Sequence, residues 1–193
     1  MKKTLTIILF LLFLFPAAAA ADECTAGDCV NGKGTMVYPT GHTYTGEFKD
    51  GLRNGQGVLL MPGNRKIVGV WEMGELREGT YTQSDGTTYT GQWLFRERNG
   101  QGTMTYPDGR KYTGEFKSDL RHGHGTMIYP DGRKYIGEFH YGERSGKGTL
   151  IYPDGREYTG DFKDGEKDGQ GTMTFPDGRK LQGKFVNGEY VGK

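Results

Sequence analysis

From residue 44 onward, polar and apolar positions alternate in short runs that restart on a fixed step. In Tyr112-Thr113-Gly114-Glu115-Phe116, two aromatics flank Gly114 on one side of the alternation, while Thr113 and Glu115 take the other. Period two over such a run is the pattern of a half-buried strand. A second run, Gly125 to Tyr129, sets Gly125, Met127 and Tyr129 against Thr126 and Ile128. Pro130-Asp131-Gly132-Arg133 follows, and the order restarts at Tyr135 and Tyr158. Pro-Asp-Gly suits a tight reversal, and Asn54-Gly55, Asn99-Gly100 and Asp168-Gly169 tolerate positive φ, so a turn is expected at each of these sites. The prediction is a continuous antiparallel meander. The glycine between two aromatics predicts a gap on the packed face, into which a ring of the adjacent hairpin settles.

Proline gives the period. Pro39, Pro62, Pro107, Pro130, Pro153 and Pro176 stand 23 residues apart, except for a 45-residue step between the second and third. That step holds one 23-residue and one 22-residue unit. In the short unit Gly74 to Gly79 replaces the longer Gly51 to Gly57, and Ser84 stands where proline is expected. Fixed-period self-similarity outranks other sequence signals.

The Tyr-x-Gly-x-Phe opening, the Gly-x-Gly-Thr second strand and the Pro-Asp-Gly turn together resemble the MORN repeat (membrane occupation and recognition nexus). The resemblance covers nearly all of residues 29–193: a half repeat at 31–43, six repeats over 44–180 opening at Tyr44, Ile67, Tyr89, Tyr112, Tyr135 and Tyr158, and a partial repeat at 181–193. It implies an all-β fold, an elongated, curled, single-layer antiparallel meander with one hairpin per repeat. It also implies scaffolding, dimerisation or membrane contact, with any catalysis lodged in a different domain.

The array breaks its own rule in one place. Val58 and Leu60 stand where threonines normally face outward, and Val68 and Val70 replace the residues equivalent to Thr113 and Glu115. With Trp71 in the short repeat and Trp93 one repeat on, these form a candidate interaction patch for a protein partner or a second copy of the chain. Drift toward β-branched residues is the plain alternative.

Charge changes the picture little. Arg65, Lys66, Arg110, Lys111, Arg133, Lys134, Arg156, Arg179 and Lys180 recur at one register, in rows roughly 10 Å apart, two strands per repeat. Such a ladder is a candidate contact for an anionic lipid or envelope surface, although Asp108, Asp131, Asp154 and Asp177 lie two residues upstream and offset it.

At the N-terminus, Lys2 and Lys3 precede an apolar run from Leu5 to Phe15, then Pro16 and Ala17 to Ala21. Residues 1–21 therefore read as a secretory signal peptide, with cleavage expected at Ala20 or Ala21 and an uncleaved anchor as the alternative. The mature chain is expected to be exported, periplasmic or secreted. Losing Lys2 and Lys3 turns the formal charge of +1 into −1, a balance that attracts no nucleic acid. Residues 22–30 form an N-terminal cap segment whose cysteines, Cys24 and Cys29, are expected to pair in an oxidising compartment. Metal binding is the alternative, but two thiolates are half a tetrahedral zinc site.

No catalytic constellation stands out, and no cofactor is implied. Ser84, Ser118 and Ser145 lie outside any nucleophile-elbow sequence. Gly146-Lys147-Gly148-Thr149 resembles a phosphate loop, but the residue after the lysine is glycine instead of a magnesium-holding Ser or Thr. His122, His124 and His140 have metal-ligand side chains but occupy places filled elsewhere by Asn54, Gln56 or Lys49, so exposed turn histidines are the expectation.

Overall fold

The computed structural model describes residues 21–192. The expected signal segment, apart from Ala21, lies outside them. One sheet of sixteen strands accounts for the described chain. Its first half comprises β1 (Glu23–Gly27), β2 (Lys33–Val37), β3 (Thr43–Lys49), β4 (Leu52–Met61), β5 (Arg65–Glu72), β6 (Glu75–Thr82), β7 (Thr88–Leu94) and β8 (Glu97–Thr105). The second half comprises β9 (Lys111–Lys117), β10 (Leu120–Ile128), β11 (Lys134–His140), β12 (Glu143–Ile151), β13 (Glu157–Lys163), β14 (Glu166–Thr174), β15 (Lys180–Val186) and β16 (Glu189–Gly192). Strands lie in chain order and the sheet stays open, so the all-β meander is the observed architecture.

The alternation places the core on one face. Tyr44, Tyr89, Tyr112, Tyr135 and Tyr158 are fully buried there, beside Phe116, Phe139, Phe162, Phe185 and the second-strand Met104, Met127, Leu150 and Met173. Each tyrosine meets the next aromatic of its own strand edge-on and the corresponding one of the following repeat: Tyr112 lies 5.1 Å from Phe116 and 4.9 Å from Phe139. Edge-to-face pairs add to area burial. Aromatic rings thus replace the aliphatic core the composition lacks.

The gap left by the central glycines is filled differently from the expectation. Gly46 pairs with Gly57, and the ring over both is that of Tyr44, from the same strand; a Cβ on Gly57 would lie 2.3 Å from its hydroxyl oxygen. The tyrosine leans along its own strand because its hydroxyl donates to a carbonyl three residues on, as from Tyr112 to Glu115 at 2.9 Å.

The turn assignments also need correction. Each hairpin reverses earlier, at Asp50-Gly51 or Asp164-Gly165, where both residues have positive φ, as a two-residue hairpin turn demands. Gly55, Gly100, Gly123, Gly146 and Gly169 also have positive φ, but within the second strand. There the register slips by extra residues, as between Gly46 and Phe48, so these glycines form β-bulges. His122 and His124 consequently lie in β10 and not in a turn. The Pro-Asp-Gly loops are reversals as expected, each closed by bonds such as Gly109 N–H to Tyr106 C=O and Tyr106 N–H to Arg110 C=O.

At the N-terminal end Cys24 and Cys29 are disulfide-bonded. Cys29 is buried, and a Cβ on Gly34 would lie 2.7 Å from its sulfur. The sulfur covers the first glycine as tyrosine rings cover the later ones. Closing so short a loop contributes about 2 kcal/mol, and in a repeat array the effect stays with its neighbours. Cys24→Ser with Cys29→Ser is expected to speed amide exchange in β1 and β2 while β9 to β14 keep their protection; equal loss across the array would refute this local role.

Candidate functional site

The short repeat, β5 and β6, is where the structure departs from its own pattern on both faces. The residue it lacks is the bulge glycine: Gly69 pairs with Gly79 and Trp71 with Leu76, leaving one fewer residue between them than in its neighbours. In regular hairpins an outward acid or amide of the first strand caps the bulge, as Glu115 Oε1 accepts from His124 N–H at 3.0 Å and Gln92 Oε1 from Gln101 N–H at 2.8 Å. The short repeat keeps only a one-residue register slip, between Val70 and Trp71, without a positive-φ glycine, and Val70 occupies the acid's place.

The outer aliphatics do lie together. Val58 pairs directly with Val68 across β4 and β5, flanked by Leu60 and Val70, and Leu60, Val68 and Val70 are exposed. Four of the other seams hold a threonine pair joined by hydroxyls at that position, as Thr103 and Thr113 at 3.1 Å or Thr80 and Thr90 at 2.8 Å, while Thr126 faces Ile136 and Thr172 faces Gln182. Trp71 and Trp93 are not part of this surface. Trp71 is buried on the inner face against Tyr44, 5.1 Å between ring centroids, and Trp93 packs there against Tyr89.

On the inner face Ile67 stands where other repeats place the buried tyrosine, so no ring joins Trp71 to Trp93. The apolar core divides accordingly into two clusters, with Trp93 touching both. Between them opens a cavity of about 380 Å³ whose lining includes Tyr38, Met61, Ile67, Trp71, Leu76 and Trp93, with Arg53, Glu75 and Arg96 contributing charge.

A row of inner cations, not anticipated from the sequence, explains the cavity's open side. Arg53, Arg98, Arg121 and Arg144 lie over the core rings, Arg144 Cζ 5.6 Å from the Tyr135 centroid and 5.5 Å from that of Phe162. Each guanidinium donates to a carbonyl at the tip of the next hairpin: Arg53 to Gly74 at 2.8 Å, Arg98 to Asp119 at 2.9 Å, Arg121 to Gly142 at 2.6 Å, and Arg144 to Gly165. The same tip residues return a backbone N–H to the arginine's own carbonyl, 2.9 Å from Gly142 to Arg121. Leu76 replaces the arginine in the short repeat. Among the described residues the equivalent bonds between Leu76 and the tip at Phe95-Arg96 are absent.

Burial from water pushes the hydroxyls of Tyr44 and Tyr89 up to about 12 against the nearby arginines, and that of Tyr158 to about 12 with Asp161 adding to it. Burial raises Tyr112 and Tyr135 further.

The outer ladder is largely neutralised. Arg110, Arg133, Arg156 and Arg179 each hold the aspartate two residues upstream, at 2.6 to 2.8 Å, and lie over Tyr106, Tyr129, Tyr152 and Phe175. Hydrogen bonds from the arginine backbone and side chain hold the Asp108, Asp131, Asp154 and Asp177 carboxyls below the usual range. Arg65 donates to the Pro62 carbonyl instead. Lys66, Lys111 and Lys180 are exposed and Lys134 half-buried. His122 and His140 come together, 5.6 Å between ring centroids, but among the described residues no group of three metal-ligating side chains forms.

A model of the MORN repeat matches residues 31–43, 44–64, 89–109, 112–132, 135–155 and 158–178, well over half of the chain. The chain belongs to the MORN repeat family. MORN repeats are a binding and scaffolding family, and the matched segments pass over residues 65–88, the short repeat. Rat (Rattus norvegicus) Alsin is 29% identical over 81 residues, 38% of this chain and 5% of Alsin, so the chain spans a small part of that relative. The TCP domain of SAS-4 from Drosophila melanogaster, solved with a proline-rich motif of Ana2, superposes with a TM-score of 0.54 at 16% identity, covering 87% of this chain and 93% of that one. The TCP10 domain of Danio rerio CPAP reaches 0.32 at 16% identity, with 84% and 88% covered.

Proposed function

We propose that this MORN array is an exported scaffold, periplasmic or secreted, that binds a partner protein or a second copy of itself through the short repeat. The observation that carries this reading is the coincidence of three departures in one repeat: a bulge shortened by its glycine, an exposed aliphatic cluster outside, and an open cavity inside. The preceding repeat holds that unit through the Tyr44–Trp71 stack and the Arg53–Gly74 tip bond, and the β6–β7 pairing holds it on the other side, which suits preorganised recognition. The SAS-4 domain, a similar sheet, has a proline-rich motif as its partner, and binding of an extended protein segment is the corresponding role here. The leader-like residues 1–21 are the ground for placing the chain outside the cytoplasm.

Photocrosslinking tests the reading in the intact chain. With a photoreactive residue at Val68 on the outside, at Phe95 beside the cavity, or at Lys111 in a regular repeat, protein adducts are expected at one or both of the first two and not at Lys111. Adducts spread evenly over all three, or lipid adducts alone, would remove the short repeat as the docking unit. An anionic-surface role would rest on the ladder lysines, because the arginines are paired; pelleting with anionic vesicles that disappears at high salt would instead favour that role.

A further inference from the structure

Val70 on the outer face accompanies the loss of the bulge glycine, but the inner departures are separate from it. Ile67 and the hairpin tips lie away from the deleted residue, and nothing in the shortened bulge requires them to differ. Three inner departures meet in one place. Ile67 leaves apolar room between Trp71 and Trp93. Leu76 removes the guanidinium that would tie down the next tip, so the Arg96 N–H and C=O at the cavity's edge lack the partners that Gly142 or Asp119 find. Met73 and Phe95, 75% and 79% exposed, occupy the two neighbouring tips, where four other repeats place Asp50, Ser118, Asp164 or Asn187 and one places Tyr141.

These features call for different parts of one ligand. The cavity accepts an apolar side chain of aromatic or proline size, since about 300 Å³ is the lower bound for ordinary ligand pockets. An open main-chain donor and acceptor at its rim match the repeating polar groups of an extended backbone. Apolar tips at Met73 and Phe95 carry contact beyond the cavity, farther than a small molecule seated inside would reach. Charge decides what flanks the inserted side chain: Arg53 and Arg96 outnumber Glu75, which stands 3.7 Å from Arg96.

We infer that the cavity between Trp71 and Trp93 is the docking site for an extended acidic segment of a partner protein, which inserts one aromatic or proline side chain and sets a carboxylate beside Arg96. The inference rests on the scaffold reading above and names the chemistry of its partner.

A displayed library of random dodecapeptides, selected on the full chain, tests it without a known partner. The two tryptophans are the only ones in the chain and both line the cavity, so their fluorescence reports occupation directly. Enriched peptides are expected to share an aromatic or proline next to Asp or Glu and to shift tryptophan emission. They are expected to bind Ile67→Tyr/Leu76→Arg at least tenfold more weakly. That double variant restores the side chains other repeats carry, so its melting temperature is expected to equal or exceed the parent's. Arg96→Glu alters a side chain that is 82% exposed and is expected to weaken binding several-fold; it decides the question if the double variant melts early. Selection without a convergent peptide overturns the inference, as does equal binding to parent and double variant. Equal binding would leave the scaffold reading standing on another surface, whereas even crosslinking along the array would remove that reading itself.

Discussion

Gly137→Ala is expected to break the array at its centre and to cost more than about 4 kcal/mol, beyond the usual range for a single substitution. Gly137 in β11 pairs with Gly148 in β12. A Cβ there would lie 2.5 Å from the Gly148 Cα, 2.6 Å from the Lys147 carbonyl oxygen and 2.5 Å from the Tyr135 hydroxyl oxygen. Two of those three neighbours are backbone, which cannot yield without parting the strands. The third belongs to a fully buried ring stacked 5.2 Å from Phe139 and 4.9 Å from Phe162, so moving it would unstack two hairpins. Gly142→Ala is the control. It lies at a tip with φ of 89° and nothing near its Cβ, so it carries only the left-handed backbone penalty of roughly 1–2 kcal/mol. Because each repeat leans on its neighbours, denaturant unfolding of the Gly137 variant is expected to split into two transitions. Similar midpoints for the two variants would show that the glycines are not packing positions.

The same ring-over-glycine contact marks how far the sequence alone could reach. Alternation in Tyr112 to Phe116 and the 23-residue step were sufficient for strands, faces and topology, because each is a local property of spacing. Which ring covers which glycine was not legible, since Tyr44 can lean along its own strand or toward a neighbour without any change in pattern. Reversals were misplaced for a related reason. Each hairpin holds two sites that suit positive φ, Asp50-Gly51 and Asn54-Gly55, and only the cross-strand register distinguishes turn from bulge. Setting a turn at Asn54-Gly55 took Arg53 out of its strand and hid the inner cation row, although Arg53, Arg98, Arg121, Arg144 and Lys167 recur on the repeat and fail at Leu76 and, in the last hairpin, at Tyr190.

For the candidate site, parity carried information that grouping by proximity lost. Val68 and Val70 are an even step apart and face outward, whereas Trp71 is an odd step away and must face the core. The outward valines were legible as an anomaly, but their cause was not. It required the Glu115-to-His124 amide contact, made at a bulge that holds a positive-φ glycine, which the short repeat lacks. The cavity was legible only as the single substitution of Ile67 for tyrosine, and its significance comes from the neighbouring rings that no longer meet across it.

Those buried tyrosines also set a pH limit on the fold, and raising the pH from 10 to 12 is expected to unfold the array cooperatively. A tyrosine is neutral when protonated, and burial favours the neutral form, so the folded values of Tyr44, Tyr89 and Tyr158 rise from 10 to about 12. Tyr112 and Tyr135 lie higher still. Each hydroxyl also donates to a backbone carbonyl, as Tyr135 does to Glu138 at 2.9 Å, and a phenolate would have no proton to donate. The unfolded chain releases these protons above pH 10 while the folded chain retains them. Stability is therefore fully present below pH 10 and falls as pH rises toward 12. Each such tyrosine contributes a loss of about 1.4 kcal/mol per pH unit in that window. Against a total stability of roughly 5–15 kcal/mol, a few of the five acting together are enough to unfold the sheet before pH 12. Tyrosinate absorbance and the β-sheet circular dichroism signal should then change together in one steep transition. Circular dichroism that holds unchanged while all the tyrosines titrate near pH 10 would mean that the rings are wet and the column is not the core.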